Sequence, residues 1–224
     1  MGADADEDGS PSFLRELPLA GRAHQFALAV HGEKRRESDA ARFIMHPLEV
    51  ASLLHVLGHR EPVVAAGLLH DTVEDSETTI EDIGAHFGAE IAALVSAMTE
   101  DPSIEDYHER KGALRDQIAR YGPDATAVYA ADKVAKVREL RSRATRGENV
   151  LDPDNQPAQD KREHYAQSLS MLEQITPEHP LVRQLRFELE TLDALPPQPE
   201  LLDRAQSGAT DTGSAPGRRG ETVG

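Results

Sequence analysis

Seven apolar or small residues, Val63-Val64-Ala65-Ala66-Gly67-Leu68-Leu69, run unbroken into His70-Asp71-Thr72-Val73-Glu74-Asp75. The first part must be buried; the second brings a histidine and three carboxylates to the edge of that buried surface. Read as one helix, His70 and Glu74 are i,i+4 neighbours, as are Asp71 and Asp75, so all four project from one side. Packing such a group beside a core is costly unless something positive neutralises it. A divalent metal would do so. The adjacent His-Asp pair suggests a metal-dependent phosphohydrolase centre, whose remaining ligands are to be sought elsewhere in the chain.

The core available to such a centre is of one kind. Aromatic residues make up 4% of the chain and tryptophan is absent, so the 38% of hydrophobic residues are dominated by Leu, Ala and Val. That favours packed helices over a β-sandwich. A length of 224 residues suits one domain plus tails. With no cysteine, disulfides and zinc–thiolate sites are excluded. Any metal must take His and carboxylate ligands, which suit Mn²⁺, Fe or Mg²⁺ as well as zinc. A formal charge of −16 argues against a nucleic-acid surface. It leaves room for an anionic small molecule, because a few basic residues and a metal reverse the field inside one pocket. The acidic start, Met1-Gly2-Ala3-Asp4-Ala5-Asp6-Glu7-Asp8, lacks the order of a signal peptide. No apolar run approaches the ~20 residues that span a bilayer. The expectation is a soluble, cytoplasmic protein without a membrane partner.

Residues 1–12 read as a disordered acidic tail, 13–195 as the folded domain, and 196–224, rich in Pro, Gly, Ser and Thr, as a second disordered tail. A helical period runs from Phe13 through Leu14, Leu17, Leu19, Ala23, Phe26, Ala27 and Val30, with Gly32 as its stop. The loop 33–39 holds Lys34, Arg35 and Arg36, which taken alone read as a solvated face. Pro47 in a first helical turn places His46 at a helix entrance, and Gly58 closes that helix. Thr78 and Glu81 stand at capping-box spacing before two short helices around Gly84, Phe87 and Gly88. A polar helix from about Ile104 to Tyr121 carries Arg110, Lys111 and Arg115 and breaks at Gly122-Pro123. In 124–141, Ala127, Val128, Ala131, Val134, Ala135 and Val137 surround Asp132. A buried aspartate requires a partner: an ion pair to Lys133 or Arg138, or a metal. Two helices, 158–175 and 178–195, follow a loop at 147–157. No strand and no repeat is evident, so the fold class is all-α.

His46, His70-Asp71 and Asp132 follow one another in the His…His-Asp…Asp ligand order of the HD phosphohydrolase superfamily. Around them, His46-Pro47-Leu48-Glu49-Val50-Ala51, Ala66-Gly67-Leu68-Leu69-His70-Asp71-Thr72-Val73-Glu74-Asp75 and Thr79-Ile80-Glu81-Asp82-Ile83 with Phe87-Gly88 resemble the hydrolase domain of RelA/SpoT proteins. They are similar also to its stand-alone relatives, the small alarmone hydrolases, which include the metazoan SpoT homologue. The resemblance covers about residues 13–195. It implies an HD-domain helical bundle of about eight to ten helices that binds one Mn²⁺ through His46, His70, Asp71 and Asp132. It further implies hydrolysis of the 3′-pyrophosphate of ppGpp or pppGpp, with Glu74 and Asp75 positioning and deprotonating the attacking water. In the family, basic residues of the loop before the first ligand contact the nucleotide, which gives Arg35 and Arg36 that role. Lys111 and Lys161 become candidate phosphate contacts, and Tyr165 a candidate for stacking on base or ribose.

The chain departs from the family in two places. After the last ligand the family usually reads Asp-Arg/Lys-Leu-His-Asn-Met/Leu-Arg, and the asparagine helps read the nucleotide. Here the run is Asp132-Lys133-Val134-Ala135-Lys136-Val137-Arg138, so Lys136 takes the place of that asparagine as a substrate contact. Phe43-Ile44 stands where the family has Tyr-Ile. The metal set is intact and the base-reading set is altered. Two alternatives follow: a phosphohydrolase of another nucleotide, such as NADPH or a nucleoside phosphate, since Lys136 suits an extra phosphate better than a guanine edge; or a catalytically silent nucleotide-sensing module. The complete ligand set with Glu74-Asp75 argues against the last.

Overall fold

The computed structural model describes residues 11–36 and 40–195. The expected tails lie outside these, apart from Pro11 and Ser12, as does the 37–39 part of the basic loop. The described residues form α1 (Phe13–Glu16), α2 (Pro18–His31), α3 (Met45–Val56), α4 (Glu61–Leu69), α5 (Thr72–Asp75), α6 (Ile80–Phe87), α7 (Ala89–Met98), α8 (Tyr107–Tyr121), α9 (Pro123–Thr145), α10 (Gln156–Ile175) and α11 (Pro180–Asp193). Two of these, α1 and α5, are single turns. The described residues include an isolated antiparallel bridge between Arg35 and Arg42 and form no strand. The fold is all-α.

The apolar run forms α4, and every residue from Val63 to Leu69 is buried. It packs against α2, α3, α7 and α9, so it has no solvent face to spend on polar residues. The second central element is α9, which meets α3 and α4 on one side and α11 on another. Gly67 sets how closely α3 and α4 approach: a Cβ there would lie 2.8 Å from Leu54 Cδ1 and 3.3 Å from Val50 Cγ1. Gly67→Ala is therefore expected to destabilise the protein by about 1–3 kcal/mol through overpacking, measured as a fall in melting temperature. An unchanged melting temperature would show that α3 repacks freely.

Local chemistry moves several boundaries from their expected places. The first helical period splits at Leu17, whose φ and ψ of −120° and 84° are those of a residue held extended before proline. Pro18 then opens α2, and Glu61 Oε1 accepts from the Leu19 and Ala20 amides at its N-terminus, at 2.5 and 3.2 Å. Gly32, with φ of 51°, ends α2 as expected. The capping box is made by Thr79 and Asp82 instead of Thr78 and Glu81: Thr79 Oγ1 accepts from the Asp82 amide and Asp82 Oδ2 accepts from the Thr79 amide. Thr78 is engaged one residue earlier, its hydroxyl accepting from Ser76 Oγ at 2.8 Å. The α8 helix starts at Tyr107, after Asp106, whose side chain caps the Glu109 amide.

Candidate metal centre

The expected ligands come from three elements: His46 from the first turn of α3, His70 and Asp71 from the α4–α5 junction, and Asp132 from the middle of α9. His46 Nε2 lies 3.3 Å from His70 Nε2 and 3.1 Å from Asp132 Oδ1. His70 Nε2 is 3.1 Å from Asp71 Oδ2 and 3.5 Å from Asp132 Oδ1, and His46 Nε2 is 3.5 Å from Asp71 Oδ2. His46, His70 and Asp132 form a fully buried set able to hold a metal ion, and Asp71 faces both histidines.

His70 to Asp75 is not the single helix that its spacing predicts. The α4 helix stops at Leu69, His70 and Asp71 form a turn, and α5 begins at Thr72. Thr72 Oγ1 donates to the Leu69 carbonyl at 2.6 Å, supplying a side-chain donor to a carbonyl of the last turn of α4. The break separates the four residues. His70 and Asp71 are buried, whereas Glu74 and Asp75 are exposed at the rim.

The donor set fits a divalent ion. Two ligand atoms each about 2.1 Å from one ion, at octahedral to tetrahedral angles, lie about 3.0–3.4 Å apart, close to the 3.1–3.5 Å separations here. The tautomer fits as well. The Gly67 carbonyl is 2.8 Å from His70 Nδ1 and can only accept, so Nδ1 carries a proton and Nε2 faces the cluster. Burial alone would depress the His70 imidazole, but Asp71 and Asp132 hold it up to about 10. Burial would raise Asp71 and Asp132; their cationic neighbours, chiefly His70 for Asp71 and Lys133 for Asp132, hold both below the usual carboxylate range. The field thus demands positive charge at Nε2, which a divalent cation provides as well as a proton does.

Asp132 makes its ion pair with one oxygen and turns the other toward the histidines. Lys133 Nζ meets Oδ2 at 2.7 Å, while Oδ1 faces the histidines. Arg138, the other expected partner, turns instead to Glu49 Oε1 at 3.0 Å and Glu188 Oε1 at 2.8 Å. Lys136 Nζ lies 3.0 Å from Asp132 Oδ1 and 3.9 Å from Asp71 Oδ1.

Two adjoining cavities open at the centre. One, of about 420 Å³, is lined by His46, Asp71, Glu74, Asp75, Arg35 and Arg36 among others. The second, of about 280 Å³, is lined by Lys111 and Tyr165; Lys136 and Lys161 border both. Every sequence-identified candidate other than buried His70 and Asp132 thus borders a cavity. At the rim, Glu74 Oε1 accepts from the Glu100 amide at 2.7 Å, and Asp75 pairs with Lys34 at 2.7 Å. Arg35 donates to the Ala40 carbonyl at 2.8 Å, Arg36 lies 3.8 Å from Glu139, and Lys111 pairs with Glu100. Lys34, Glu139, Arg143 and His164, to which the sequence assigns no site role, also line these cavities, as does Lys133. For two of them a signal existed: Asp132, Lys136, Glu139 and Arg143 recur at helical spacing along one face of α9.

Known proteins resemble the chain in sequence and in fold. The sequence model of the HD domain matches residues 23–152. The human guanosine-3′,5′-bis(diphosphate) 3′-pyrophosphohydrolase MESH1 is 39% identical over 121 residues, which are 53% of this chain and 67% of that protein. A guanosine-3′,5′-bis(diphosphate) 3′-pyrophosphohydrolase of Aquifex aeolicus is 36% identical over 121 residues, 53% of this chain and 17% of that much longer relative. A solved structure described as a metazoan orthologue of SpoT that hydrolyses ppGpp superposes with a TM-score of 0.67, at 23% identity, over 79% of this chain and 97% of its own, and so supports the fold. With its ligand order, its helical architecture and the matched span in agreement, this chain belongs to the HD-domain family.

Proposed function

We propose that the chain is a metal-dependent hydrolase that removes the 3′-pyrophosphate of guanosine 3′,5′-bis(diphosphate), with Mn²⁺ as its working ion. One observation carries this reading: buried His and Asp ligand atoms, 3.1–3.5 Å apart, sit beside a cavity whose lining includes Lys34, Arg35, Arg36, Lys136, Arg143 and Lys161. Relatives named for that activity support it. His46, His70, Asp71 and Asp132 would hold the ion. When bound, such an ion lowers the pKa of water and neutralises charge on phosphoryl oxygens. Glu74 takes the water's proton, and Asp75, through its pair with Lys34, orients a cation at the cavity that receives the departing pyrophosphate. Arg35 and Arg36 stand on the same wall, while Lys111, Lys161 and Tyr165 line the way to the second cavity. Two cation-lined cavities suit a nucleotide with phosphates at both ends.

Lys136 favours a second reading. It offers only donors, so it cannot accept from a guanine N–H, and it borders both cavities. A phosphate in place of a base edge, such as the 2′-phosphate of NADPH, meets that requirement. The test is a substrate panel with the Mn²⁺-loaded protein, resolved by anion-exchange chromatography. The first reading expects ppGpp to yield GDP and pyrophosphate. Intact ppGpp beside a dephosphorylated NADPH would transfer the assignment to the second, and tight binding without cleavage would identify a sensing module.

A further inference from the structure

One buried histidine has no part in that chemistry. His164, on α10, is 3% exposed and lines the smaller cavity with Tyr107, Lys111 and Tyr165. Its Nδ1 lies 2.9 Å from Arg115 Nη1. A guanidinium has donors only, so Nδ1 accepts and the ring proton resides on Nε2. Nε2 is buried and has no hydrogen-bond partner. Arg115 is fixed in turn by Gln167 Oε1 at 2.6 Å, and the Gln167 amide donates to Glu163 at 2.8 Å. Burial, with Lys133, Lys111 and Arg115 close by, keeps the imidazole far below the ordinary histidine range and so neutral. The result is a neutral N–H donor, oriented by a chain of side chains, left unsatisfied at the wall of a cavity that also holds Lys111, Lys133, Lys136, Arg143 and Lys161. Unsatisfied buried donors are costly and rare.

We propose that His164 is a specificity-determining residue whose Nε2–H donates to a phosphoryl oxygen of the substrate phosphate that is not cleaved, with Arg115 as the positioning residue that sets the tautomer. Assignment of the contact to the 5′-diphosphate rests on the hydrolase reading above; the contact itself does not.

Guanosine 5′-diphosphate, which carries only that group, is the probe, with guanosine as control and the full chain loaded with diamagnetic Mg²⁺. Long-range ¹H–¹⁵N spectra are expected to show His164 as the Nε2–H tautomer, with that resonance moving on addition of the diphosphate and not of guanosine. By calorimetry, His164→Phe is expected to weaken diphosphate binding about 10- to 100-fold and leave guanosine binding unchanged. His164→Gln, whose amide restores an N–H donor, is expected to recover most of the loss. An Nδ1–H tautomer, an unmoved resonance, or equal losses for guanosine and its diphosphate would each overturn the proposal. Should His164→Phe fail to fold, the spectra of the parent protein decide. If the parent leaves ppGpp intact while the diphosphate still moves His164, the substrate reading fails and this inference stands.

Discussion

Asp132→Ala is expected to abolish metal binding and, with it, about 10³-fold or more of the hydrolytic rate, while also destabilising the metal-free protein. Both effects follow from the two oxygens doing different things. Oδ1 stands 3.1 Å from His46 Nε2 and 3.5 Å from His70 Nε2, so its loss removes one wall of the donor set. Oδ2 is the 2.7 Å partner of Lys133, whose side chain is only 4% exposed. Removing one member of a buried pair leaves the other charged without compensation and costs about 3–5 kcal/mol. Burial pushes the Lys133 ammonium down, and Asp132 is the main cause holding it above its ordinary value; without that carboxylate, Lys133 sheds its proton more readily. Metal stoichiometry by mass spectrometry and melting in the presence of a chelator separate the two effects. A variant that still holds one ion per chain and turns over would refute the ligand role. One that loses metal but melts like the parent would refute the Lys133 argument alone.

The parts of this site that were legible in the sequence are those where chemistry restricts the residue type. Few residue types hold a divalent ion without cysteine, and His46, His70, Asp71 and Asp132 were recognisable as such, although scattered along the chain. The burial of α4 was equally legible, because a run with no polar residue leaves no choice. Geometry set by local hydrogen bonds was not. The turn at His70-Asp71 depends on Thr72 Oγ1 reaching the Leu69 carbonyl, and nothing in an i,i+4 count signals it. Lys133 was legible as a candidate partner of Asp132, but its burial depends on the register of α9 against its neighbours and on the ring of Tyr129, 4.4 Å from its Nζ. His164 was invisible for the same reason: a histidine between Glu163 and Tyr165 acquires meaning only when Arg115, 49 positions away, fixes its tautomer.

Glu74→Gln is expected to separate the chemistry from the metal: about 10²–10⁴-fold lower kcat with metal stoichiometry unchanged. The substitution is close to isosteric, and its amide oxygen can still accept from the Glu100 amide, which holds Glu74 Oε1 at 2.7 Å. What it removes is a carboxylate whose pKa is displaced. Desolvation raises the Glu74 carboxyl above its ordinary value, the Glu100 amide opposes the rise, and the charges of Asp71 and Glu100 add to it. A base works only when deprotonated, so activity is lost as pH falls through its pKa, and that acid limb of the pH–rate profile should vanish in Glu74→Gln. Stability should move the other way. A carboxyl whose pKa is higher folded than unfolded binds its proton more tightly in the native state, so it favours folding at low pH and disfavours it as pH rises through the folded value. Removing that charge should leave the melting temperature at neutral pH equal to or above that of the parent, the pattern of a residue kept for reaction at some cost to the fold. Loss of metal in this variant would move Glu74 into the ligand set. An undiminished kcat would hand the proton to Asp75, which pairs with Lys34 at 2.7 Å.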